Sequence, residues 1–199
     1  MNIWFTARGA GLSALVLVTA SICLGALGSR MAAGHPQRRY VVQYLHRVCG
    51  SLGIVVLVLH VATILADSYA HVGWRGAVIP FTSGYRPTWI ALGSLAAYTL
   101  VFAAVLGAAR GRLAASSRGA ALWRTLHALS YGAWAAALVH GFESGTDSSL
   151  GWVRAIYVTC LVAVVGATAA RLVPRRRTDA PRRQPTHVHT RPEMAGAPR

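Results

Sequence analysis

Four histidines interrupt stretches of the chain that are otherwise apolar. "LHRVCGSLGIVVLVLH", residues 45–60, carries His46 and His60, and "LHALSYGAWAAALVH", residues 126–140, carries His127 and His140. An imidazole can ligate a metal through its unprotonated nitrogen, exchange a proton near neutral pH, or simply hydrogen-bond. In an apolar span an ionisable side chain is costly, and such residues face the interior of a bundle, where they pair or act. A single histidine there reads as a hydrogen-bonded packing residue. Two pairs, each at opposite ends of an apolar stretch, point to shared ligation.

The composition says what kind of element carries them. Of 199 residues, 54% are hydrophobic and only 13% charged, which excludes an ordinary soluble domain and a disordered chain. All 20 basic residues are arginine, against five acids, for a net charge of +15. The arginines sit at the ends of apolar runs and in the C-terminal tail. That is how membrane proteins use basic residues, so no nucleic-acid partner is expected. Cys23, Cys49 and Cys160 lie inside apolar runs without a CxxC pair and read as small packing residues.

A bilayer crossing takes about 20 mostly apolar residues, and five segments qualify: 9–28, 44–66, 88–109, 123–142 and 152–173. The first resembles a signal peptide in outline, but its apolar run is long. Cleavage would also leave Arg30, Arg38 and Arg39 outside ahead of the next span, so a retained helix is favoured. The linkers at 29–39 and 110–124 and the tail hold most of the arginines. Asp67, Glu143 and Asp147 fall on the alternate side. The expectation is an all-α integral membrane protein, multi-pass in the cytoplasmic membrane. It is a bundle of five transmembrane helices over residues 1–173, N-terminus outside and C-terminus cytoplasmic. Residues 174–199, rich in Pro and Arg, cannot build a core and are expected to be a disordered cytoplasmic tail.

In that topology the second and fourth helices run parallel. His46 and His127 then share a cytoplasmic depth and His60 and His140 an outer one, with the two levels roughly 20 Å apart. Two imidazoles at one depth suit the axial positions of a haem iron, a large apolar disc that belongs between helices. Zinc would ask for four ligands, and no acid or cysteine joins either pair. Helical phase agrees only for the first pair. His46 and His60 return to within roughly 40° of one face, whereas His127 and His140 differ by roughly 220°. A bend at Gly132 or a crossing neighbour would be needed to reconcile them.

The two unequal spacings, H-x13-H and H-x12-H, resemble those of the ferric-reductase-like transmembrane domain. That family is shared by NADPH oxidases, ferric reductases and the bacterial haem subunit of methionine sulfoxide reductase. The likeness covers about residues 1–172 and extends to "TARGAGLSALVLVTASICLGALGSR", "IPFTSGYRPTW" and "HGFESGTD", similar to small actinobacterial members. It implies two haem b groups, inner on His46/His127 and outer on His60/His140, and electron transfer from inside to outside. It also points to Arg8 as a haem-contacting candidate; Arg124, one turn before His127 on the same face, is a candidate for an inner haem propionate, and Trp134 a candidate aromatic between the haems. Snorkelling to lipid phosphate is an equal reading for both arginines, and core packing the stronger one for Trp134.

The chain has five spans where the oxidases have six, and no dinucleotide-binding glycine loop follows the last. No FAD or NAD(P)H site is therefore expected on it. A separate flavoprotein or a quinol would supply electrons, and ferric iron, oxygen or a partner reductase would accept them. Two other readings stay open. One is a quinol-linked cytochrome b subunit of an external reductase. The other is a haemless structural or assembly subunit with packing histidines.

Overall fold

The computed structural model describes residues 2–31, 35–67 and 71–173; the expected tail, 174–199, lies outside them. The described residues are helical, in seven elements. These are α1 (Asn2–Met31), α2 (Pro36–Ala66), α3 (Gly73–Val78), α4 (Pro87–Ala108), α5 (Arg110–Leu113), α6 (Ser117–Ser144) and α7 (Gly151–Leu172). Each expected span lies on one of the five long helices. α1, α2, α4 and α7 are long and apolar enough to cross a membrane. The fifth, α6, has 28 residues but is less apolar, because histidines, small residues and Arg118 and Arg124 dilute its leucines.

The helices outrun the apolar runs that flagged them. α2 begins at Pro36 rather than Tyr44, and α1 at Asn2 rather than Gly9. A helix needs no apolar residues to continue beyond a bilayer, and Gln and Arg are good helix formers. Proline opens α2 and α4 at the position where its missing N–H costs nothing. Ser116 caps α6 by accepting from the Gly119 N–H at 3.1 Å. The short α3 and α5 carry no period long enough to be read from sequence.

Packing is uneven. α1 lies along α2, α4 lies along α6, and α1 also touches α6 and α7. α2 and α4 meet only lightly, with α3 wedged against both. The core is a seam of Leu15, Val18, Ile22, Leu100, Trp134, Tyr157 and Val164. Trp134, buried on α6, donates its indole N–H to Thr19 of α1 at 2.8 Å, satisfying the one polar atom such a residue brings inside. Elsewhere the long helices turn Leu52, Val55, Val58, Val101, Val105, Val162 and Val165 outward, as a lipid-facing surface does. Trp4 and Trp152 stand exposed near one end of the bundle and Tyr40 and Tyr44 near the other, the positions an aromatic belt takes.

Candidate functional site

Each of the four histidines is held in the same way. His60 on α2 donates its Nδ1–H to the carbonyl of Ala7 on α1 (2.6 Å), and His46 to that of Ser21 (2.8 Å). His140 on α6 donates to the carbonyl of Trp89 on α4 (2.8 Å), and His127 to that of Ala103 (3.1 Å). A backbone carbonyl can only accept, so Nδ1 must carry the proton. In the neutral ring Nε2 is then left with its lone pair, the form in which imidazole binds a metal. Ser21 adds a second tie, its hydroxyl lying 3.1 Å from His46 Nδ1 and donating to the His46 carbonyl at 3.0 Å.

The carbonyls in question already accept a bond within their own helices, so the imidazole must reach a second lone pair from the side. A glycine one turn further along makes that possible. Cβ atoms tilt toward the helix N-terminus, so the side chain at i+4 would cover the carbonyl at i. Gly11 follows Ala7, Gly25 follows Ser21, Gly93 follows Trp89 and Gly107 follows Ala103, always four residues on. A Cβ at Gly93 would come within 2.6 Å of the His140 ring, at Gly11 within 3.0 Å of His60, and at Gly25 within 3.2 Å of His46. At Gly107 the corresponding distance to His127 is an ordinary 3.5 Å. These glycines escaped the sequence reading. Their signal is G-x13-G, present in both α1 and α4, but it is hidden among 20 glycines unless one knows which helix backs which.

The structure brings the histidines together in the pairs expected from depth. The rings of His46 and His127 stand 6.2 Å apart, centroid to centroid, at 74°, and Trp123 stacks on His127 at 5.2 Å. His46 and His127 are the residues that would hold a metal at this depth. His60 and His140 both line a cavity of about 490 Å³, within the range of cofactor sites. Among the described residues no group of three or more His, Cys, Asp or Glu forms, so each site offers two imidazoles in largely apolar surroundings. α6 runs unbroken through Gly132. Its two histidines reach the same neighbour, α4, from different flanks. The phase offset that two residues thirteen apart must have is taken up by their side chains.

The remaining candidates fall in different places. Arg8 lines the cavity, but its guanidinium is engaged by Asp147 (2.5 Å) and by Thr146 (2.6 Å) from the loop after α6, and it lies over the Trp4 ring at 4.3 Å. Trp134 borders the same cavity from the core side. Arg124 is exposed on α6, one turn before His127. Further residues close the cavity end. The Arg86 guanidinium donates to the Glu143 carbonyl and the Tyr85 hydroxyl to the Ser144 carbonyl (3.3 Å), serving carbonyls that the C-terminus of α6 leaves without helical partners. Tyr157 of α7 packs against Gly141, where a Cβ would lie 2.7 Å from its hydroxyl.

Compared with protein-family models, with curated proteins and with solved structures, the chain matches none.

Proposed function

We propose that this membrane protein holds two b-type haems, one between His46 and His127 and one between His60 and His140. In this reading it carries electrons across the cytoplasmic membrane, inside to outside. One observation carries the reading: four imidazoles in two pairs, each with Nδ1 tied to a backbone carbonyl and Nε2 left to bind. Packing histidines have no need of one tautomer repeated four times. Nor would close packing leave a cavity of about 490 Å³ bordered by His60 and His140. The resemblance of the two spacings to ferric-reductase-like domains points the same way.

A bound haem supplies a one-electron iron couple, whose potential its axial ligands and surroundings set. The chain's own part is to fix ring orientation through the carbonyl bonds, which raise ligand basicity. It also excludes water with Leu15, Val18, Leu100 and Trp134, and closes the outer end with the Arg8–Asp147 ion pair. Electrons would come from a separate flavoprotein or a quinol and pass to ferric iron, oxygen or a partner reductase.

A reduced-minus-oxidised visible spectrum of the purified protein tests the reading. Bands of bis-imidazole b haem are expected, with about two haems per chain. Dithionite should reduce them, and NADPH only after a flavoprotein is added. A chain expressed with ample haem that shows no haem bands is a structural subunit instead.

On the arginine distribution, Ser148 would lie outside and the C-terminus in the cytoplasm. A reporter inserted at Ser148 should be active only outside, and one after Arg199 only inside. The opposite pattern would invert the proposed direction of transfer.

A further inference from the structure

Between α2 and α4 the chain does more than cross the end of the bundle. Ser94 of α4 donates to the Ala77 carbonyl at 2.8 Å, and the Tyr98 hydroxyl donates to the Val78 carbonyl. Ser94 stands seven residues into α4 and Tyr98 eleven, about 10 and about 16 Å below its first residue. Side chains lean toward the helix N-terminus, so the end of α3 sits about 10 Å down the flank of α4. The 22 residues of α4 measure about 33 Å, close to the roughly 30 Å of a hydrocarbon core. If α4 spans the bilayer from its first residue, Pro87 stands at the boundary and Ala77 and Val78 lie inside it. The segment then returns. Gly76 meets Ser83, where a Cβ would fall 2.7 Å from the Ser83 Cα, and Gly84 approaches the His71 carbonyl.

Irregular backbone at such depth persists only where its polar groups are served within the protein. Here they are. The Arg75 carbonyl accepts from the Ile79 N–H (2.7 Å) and the Ile79 carbonyl from the Thr82 N–H (3.3 Å), and the one proton of the Thr82 hydroxyl is shared between these two carbonyls, at 2.9 and 2.8 Å. The Tyr85 carbonyl takes the Ser83 hydroxyl at 2.9 Å. At an aqueous surface, water would serve these groups without help. At the turn Val78, Ile79 and Phe81 are exposed, Phe81 by 65% and in a left-handed conformation (φ 68°) that a bulky residue adopts only when its surroundings impose it.

We propose that residues 73–86 form a re-entrant element. It dips into the bilayer from the end where α4 begins, its Val78–Ile79–Phe81 tip lies against acyl chains, and its inner face walls the cavity between α2 and α4. Val72, Ala77, Val78 and Tyr85 line that cavity, and α3 packs on both helices. The inference rests on α4 spanning the membrane and not on any cofactor.

Thiol accessibility in proteoliposomes tests it. Phe81→Cys and Ile79→Cys are compared with Ser148→Cys in a loop and Val101→Cys on the outward face of α4. An impermeant maleimide is present on both sides, and labelling of the three native cysteines is subtracted using the unsubstituted chain. Both tip variants should label at the rate of Val101→Cys, at least about tenfold slower than Ser148→Cys, because the thiolate does not form in hydrocarbon. Nitroxides at the same positions should be relaxed by oxygen and not by a water-soluble nickel chelate. Labelling as fast as Ser148→Cys would put the segment on the aqueous surface. Nitroxides shielded from both agents would put the tip inside protein. Either result overturns the proposal.

Discussion

Replacing His60 or His140 with alanine should lower haem content from about two per chain to about one, with the outer site lost and the inner one retained. His46→Ala or His127→Ala should do the reverse. The expectation follows from the pairing. His60 and His140 share one cavity, while His46 and His127 face each other at 6.2 Å. In the proposed reading each variant removes one of the two nitrogens that would hold that haem, and among the described residues no other His, Cys, Asp or Glu is grouped to replace it. Pyridine haemochrome content per chain, with spectra of each variant resolved into inner and outer components, measures the result. Unchanged content in all four variants would end the ligand assignment.

Gly93→Ala should imitate His140→Ala although it removes no ligand. The added methyl would lie 2.6 Å from the His140 ring, closer than atoms tolerate. The ring must leave the Trp89 carbonyl and lose the orientation that this bond fixes. The outer site should empty, taking haem content from about two to about one. Gly107→Ala, at 3.5 Å from His127, should leave both sites filled. Gly132→Ala, with nothing within 4 Å, should do the same, and helix propensity alone should then gain about 0.5–1 kcal/mol. A uniform loss of haem in all three glycine variants would indicate general destabilisation. Full haem in Gly93→Ala would show that the carbonyl bond is dispensable.

The amino-acid sequence determined much of this protein. Membrane-length helices are legible because a span needs about 20 apolar residues and little else, and the four histidines stand out because such residues are rare there. Their pairing by depth followed from the parallel run of the two helices expected from the arginine distribution, together with helix rise. α6 was legible in length but is less apolar than its neighbours, and it turns Ala133 and Trp134 into the core.

What only the tertiary structure decided is everything that depends on which helix backs which. The acceptors for the histidines are backbone carbonyls of Ala7, Ser21, Trp89 and Ala103, and a carbonyl has no side-chain identity to read. The glycines that expose them matter only against an imidazole on another helix. Arg8 reads from sequence as haem-contacting or snorkelling to lipid; that Asp147, far along the chain, is its ion-pair partner is seen only in the fold. The "IPFTSGYRPTW" stretch shows the same limit. Its apolar tip is far too short to register as membrane-inserted, and its depth appears only where Ser94 and Tyr98 take hold of it. Local composition sets which segments leave water; the partners of buried polar groups are set by long-range packing, because those groups must find donors or acceptors wherever the fold puts them.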